Sequence, residues 1–174
     1  MDSLRDLIFN NYAANKFTSA IRINNEEMSY EELFNKSLKV SIFLQKNDLQ
    51  NKTIGIVGHR KFSTYIGILG VLFSGCNYTP INPKSNQAKI IEVLKNSKIN
   101  YLIGDYLDIK ELYKTIGSKN ILKQIEMIIT PMDSAQEDLK SYTLDMTLIN
   151  DIDIPKKILD YDGSNLAYVL YTSG

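Results

Sequence analysis

An α/β fold, with a largely parallel sheet between flanking helices, is predicted by three observations. Short apolar runs of strand length alternate with stretches of helical period along most of the chain. The strand candidates are continuous Ile, Val and Leu runs rather than in-out alternations, as in strands covered on both faces. A length of 174 residues fits one domain, residues 1–174, large enough to bury a core.

The elements follow in order. Leu4 to Tyr12 carries Leu4, Leu7 and Ile8 at helical spacing and predicts a short opening helix. Ala20 to Ile23 and Met28 to Tyr30 read as a hairpin around an Asn24-Asn25 turn. Ser29 then caps a helix to about Gln45, with Glu32 completing a capping box. Its apolar stripe is Leu33, Phe34, Ser37, Leu38, Val40, Ser41 and Leu44. Ile54 to Val57 is a buried parallel strand ending at Gly58, and Ser63 to Ser74 a helix apolar almost all round, stopped by Gly75. Tyr78 to Pro80 is extended, since Pro80 and Pro83 oppose helix. Ser85 to Ser97 is a helix with Ala88, Ile91 and Leu94 inward, Tyr101 to Ile103 a strand, 108–116 a helix and Ile125 to Ile129 a strand. Residues 131–141 read as loop and 151–165 as extended connection. Leu166 to Tyr171 is a buried strand expected to belong elsewhere, in a sheet that this chain leaves incomplete, and it runs into Thr172-Ser173-Gly174.

Composition narrows the function classes. Twenty basic and twenty acidic residues leave no net charge, so nucleic acid and anionic membranes are not expected partners. One cysteine, Cys76, excludes an intrachain disulfide and a multi-cysteine zinc site. The N-terminus lacks the pattern of a signal peptide, and the most apolar run, 65–73, is too short to span a bilayer, so a cytoplasmic protein is expected.

Chemistry concentrates at the end of the chain. Thr172, Ser173 and Gly174 supply hydroxyls, backbone N–H groups and a flexible position directly after a strand, a combination that can wrap an anion with dipoles. The lone His59 follows a strand end without partners for a triad and reads as a loop residue. Cys76 reads as a buried, inert thiol. The pairs Glu26-Glu27 and Glu31-Glu32 suit a hairpin turn and a helix start. Neither a dinucleotide fingerprint nor a Gly-x-x-x-x-Gly-Lys loop is present. No catalytic or metal-binding residue is assigned.

Three segments together carry a resemblance. Met28-Ser-Tyr-Glu-Glu-Leu33, Leu72-Phe-Ser-Gly-Cys-Asn-Tyr-Thr-Pro-Ile-Asn-Pro83 and Tyr171-Thr-Ser-Gly174 resemble, in order and spacing, the first three core motifs of the adenylate-forming ligases. The resemblance spans Phe17 to Gly174 and is closest to the amino-acid-activating branch, as in nonribosomal peptide synthetases or D-alanine–carrier protein ligases. Phe73, Ser74, Asn77 and Asn82 depart from the second motif at positions that shape a helix-to-loop transition.

The resemblance implies the N-terminal subdomain of that fold, with Thr172, Ser173 and Gly174 as the first positions of a loop on the phosphates of ATP. It also implies Mg2+ and ATP as cofactors, a small carboxylate as substrate, and a phosphopantetheinyl carrier protein or CoA as acceptor. The rest of the loop, the adenine and substrate pockets and the C-terminal lysine of such enzymes would lie beyond Gly174, so the chain alone is expected to be inactive. Two alternatives remain: an acyl- or aryl-CoA synthetase of the same fold, and a non-catalytic docking module.

Overall fold

The computed structural model describes residues 4–117, 119–132, 143–144 and 166–171. Two sheets are present among them: the hairpin β1 (Ser19–Ile23) and β2 (Glu26–Ser29), and a parallel sheet. The parallel sheet comprises β3 (Thr53–Val57), β4 (Asn77–Ile81), β5 (Tyr101–Gly104), β6 (Met127–Ile129) and the two-residue β7 (Thr143–Leu144), in the order β4-β3-β5-β6-β7. The helices are α1 (Leu4–Asn15), α2 (Tyr30–Lys46), α3 (Phe62–Ser74), α4 (Gln87–Asn96), α5 (Tyr106–Ile116) and the short α6 (Lys119–Leu122).

Local chemistry sets the element ends. Asn24 takes the left-handed conformation (φ 55°) that the hairpin turn needs. Ser29 accepts the Glu32 N–H at 3.1 Å and starts α2, while the Glu32 carboxylate faces Lys36 at 3.8 Å. Half of the expected capping box is therefore seen. Gly75 closes α3 at φ 85°, a conformation a side chain would oppose. Asp105 caps α5 by accepting the Leu107 N–H at 2.9 Å.

The core forms two layers, one on each sheet face. Ile54 and Ile56 of β3, Ile103 of β5 and Ile129 of β6 meet α2 and α3, with Val40, Leu44, Ile66 and Val71. Val57, Leu102 and Ile128 point the other way, onto Ile90 and Leu94 of α4 and Ile109, Leu112 and Ile116 of α5. Both faces are apolar because both are covered, which is why these strands read as unbroken hydrophobic runs. The α2 and α3 backbones approach closely: a Cβ on Gly70 would lie 2.6 Å from Val40 Cγ1 and 3.0 Å from the Ser37 carbonyl. Outside them, α1 packs aromatically, with Tyr12 stacked on Phe34 at 4.0 Å and Phe9 edge-on to Phe34 at 4.7 Å.

Two expectations are corrected. The inward face of α4 is Ile90, Val93 and Leu94; Ala88 is exposed and Ile91 only half-buried. The cap is Asn86, whose side chain accepts the Ala88 N–H at 2.8 Å, and the first turn, Gln87 to Lys89, is exposed. The second correction concerns 166–171. The segment lies along the outer edge of β4 through one parallel bridge, Tyr78 to Tyr168, with Leu166, Tyr168 and Leu170 exposed.

The sequence explains why the pairing stops there. Tyr78 N–H bonds the Ala167 carbonyl at 3.2 Å, and Val169 N–H bonds the Tyr78 carbonyl at 2.9 Å. The next donor on that edge of a parallel ladder would be residue 80, and Pro80 has no N–H. The readings for 133–141 and 151–165 lie outside the described residues.

Candidate nucleotide-binding site

Parallel sheets gather ligand contacts beyond the carboxyl ends of their strands, and two clefts open at that end here. The first, about 290 Å³, is bounded by Gly58 after β3, Ile81 and Asn82 at the end of β4, Lys89 of α4, and Leu170 and Tyr171. The second, about 520 Å³, lies between the Asn24-Asn25 turn, Arg60, Lys61, Asp105 and Met132. His59 lines both and is exposed, as expected of a loop residue.

The wall between β3 and β5 is an ion-pair cluster. Lys61 Nζ lies 2.8 Å from Asp105 Oδ1 and 3.2 Å from Asp108 Oδ2. Partial burial opposes the Lys61 charge and is the largest single influence on it. The hydrogen bonds and attraction from Asp105 and Asp108 outweigh that cost, so the amine stays protonated above its usual range. Beneath them the chain turns at Gly58 with φ 123°. Nothing in the sequence pattern announces this cluster, because Lys61 follows β3 whereas Asp105 caps α5 and Asp108 lies in its first turn.

The other candidate residues occupy structural roles. Cys76 is buried; its Sγ donates to the Leu49 carbonyl at 2.9 Å, and burial pushes the thiol pKa up, as suits an inert cysteine. Glu31 pairs with Lys16 at 2.8 Å, Glu27 with Arg22, and Glu32 with Lys36. Among the described residues no group of three or more His, Cys, Asp or Glu is placed to hold a metal ion. Thr172, Ser173 and Gly174 lie outside the described residues; Tyr171, directly before them, lines the first cleft.

The AMP-binding enzyme family matches residues 10–174. The chain belongs to that family. Gramicidin S synthase 1 of Brevibacillus brevis is 30% identical over 156 residues, covering 89% of this chain and 12% of that protein. Nonribosomal peptide synthetase 2 of Gibberella zeae is 27% identical over 152 residues, covering 87% of this chain and 3% of that protein. The chain thus spans a small fraction of these relatives.

Solved structures of adenylate-forming ligases share the fold. The anthranilate CoA ligase AuaEII in complex with anthranoyl-AMP superposes with TM-score 0.81 at 16% identity, covering 99% of this chain and 32% of that one. The Klebsiella oxytoca NpsA N-terminal subdomain in complex with 3-hydroxyanthranilyl-AMSN superposes with TM-score 0.72 at 19% identity, covering 100% and 39%. The three-layer α/β arrangement is therefore that of the N-terminal subdomain of adenylate-forming ligases. No helix of the described residues is long and apolar enough to cross a membrane.

Proposed function

We propose that this chain is the N-terminal portion of an amino-acid adenylation domain. The whole enzyme joins a carboxylate to the α-phosphorus of ATP, releases pyrophosphate, and passes the acyl group from the adenylate to a carrier-protein thiol. Thr172, Ser173 and Gly174 open the phosphate-binding loop, whose dipoles disperse charge on the departing pyrophosphate. ATP is the nucleotide, and Mg2+ accompanies its phosphates. The 174-residue chain alone neither activates a substrate nor loads a carrier.

The observation that carries this reading is the family match over 10–174, supported by the placement of Tyr171 at the carboxyl-end cleft. The branch is suggested by the peptide-synthetase relatives, since the similar folds include a CoA ligase. The test is substrate-dependent ATP–pyrophosphate exchange by the whole enzyme. Exchange with an amino acid is expected. Exchange only with aryl or fatty acids would move the chain to the CoA-ligase branch. ATP-dependent hydroxamate formation by the 174-residue chain would refute its proposed inactivity.

A further inference from the structure

Tyr171 directly precedes Thr172, Ser173 and Gly174 in the sequence, and its side chain is held from a distant part of the chain. Ser97, which ends α4, donates its Oγ–H to the Tyr171 hydroxyl oxygen at 2.8 Å, and the ring packs on the α4–α5 face of the core. Ser97 is itself well fixed. Its N–H bonds the Val93 and Lys95 carbonyls, and Gln124 Nε2 grips the same turn through the carbonyls of Leu94 at 3.3 Å and Ile99 at 2.8 Å.

This anchor matters because backbone pairing gives out before the loop. The Tyr78 bonds hold Ala167 and Val169, and Pro80 ends the ladder. Among the described residues, the Ser97–Tyr171 bond is the side-chain hydrogen bond that holds the segment past Val169. We propose that Ser97 is a positioning residue: it fixes Tyr171, the residue to which Thr172, Ser173 and Gly174 are joined. The functional consequence rests on the proposed phosphate-binding role of those three residues. A misplacement of about 1 Å at such a loop can cost up to roughly 100-fold in rate.

Two measurements test the two halves separately. In the 174-residue chain, Ser97→Ala and Tyr171→Phe keep the ring packing and remove one hydroxyl each. Amide exchange at Val169 should quicken roughly 3- to 10-fold, the weight of one such bond. The double variant should do no more than either single one, and exchange at Ile103 in β5 should not move. Unchanged exchange at Val169 overturns the anchor.

In the whole enzyme, Ser97→Ala should raise the KM for ATP and pyrophosphate several-fold, leave the KM for the carboxylate unchanged, and be rescued by Ser97→Thr. Wild-type exchange with unaltered variants refutes the positioning role even if the anchor is real. A wild-type enzyme that exchanges with no carboxylate refutes the functional reading instead, and the exchange result at Val169 stands by itself.

Discussion

The carboxylate of Asp108 occupies the space that a side chain on Gly58 would need: a Cβ there would lie 2.6 Å from Asp108 Oδ2. The φ of 123° at Gly58 is also one that L-residues rarely adopt. The turn after β3 and the first turn of α5 are therefore fitted to each other. Gly58→Ala should lose about 1–3 kcal/mol from backbone strain, with the contact adding to it. Urea unfolding reads this directly, and a variant as stable as wild type would mean the turn can be rebuilt without cost.

Lys61 gives that same corner a dependence on alkaline pH. Its pKa is raised in the folded protein, so the stabilisation is complete below the unfolded lysine range, about 10.4, and fades as pH rises through the folded value. Lys61→Met should cost about 1 kcal/mol at pH 7, a modest figure because the amine is a third exposed. The gap between wild type and variant should hold from neutral pH to about 9.5 and narrow above about 10.4. A gap that widens there would contradict the assigned pairing.

The α2–α3 contact sets packing against propensity. Alanine favours a helix over glycine by about 1 kcal/mol, but a Cβ on Gly70 would press on Val40 and the Ser37 carbonyl. Overpacking of this kind costs about 1–3 kcal/mol, and the carbonyl belongs to a backbone that cannot step aside. Gly70→Ala should lower the denaturation midpoint. A raised midpoint would show that the helices separate easily.

Cys76 should behave as a reporter of global unfolding. The thiol is 1% exposed, hydrogen-bonded to Leu49 and disfavoured as thiolate by burial. Its reaction with an aromatic disulfide should run roughly 1,000-fold or more slower than that of the unfolded chain, tracking the unfolding equilibrium. Rapid labelling under native conditions would expose a local opening near the Leu49 turn.

Much of this architecture was legible because its signals are local. The Asn24-Asn25 turn, the Ser29 cap, the full buried stripe of α2 and the Gly75 stop each depend on neighbours within a few positions. The shifted face of α4 was not, since a two-sided apolar pattern (Ile90, Ile91, Val93, Leu94) leaves the choice to the sheet beneath. Burial of 166–171 was overestimated for a related reason. Apolar residues of strand length do not say whether a second layer exists to cover them, and here Leu166, Tyr168 and Leu170 face outward. At the candidate site, Thr172, Ser173 and Gly174 lie outside the described residues, and their role stands as a proposal. The Lys61–Asp105–Asp108 cluster and the Ser97–Tyr171 bond were not legible, because each joins residues far apart in sequence through side chains that carry no periodic signal.

Pro80 also bears on what happens while the chain is being made. A ribosome adds on the order of 5–20 residues per second, so β4 is complete for several seconds before Ala167 and Val169 emerge to meet Tyr78. During that interval the outer edge of β4 is a template open to any passing strand. A proline at the second pairing position spoils it for strangers, and the same residue later limits the rightful partner to a single bridge. The short grip on the segment 166–171 is thus the other side of protection against aggregation in the nascent chain.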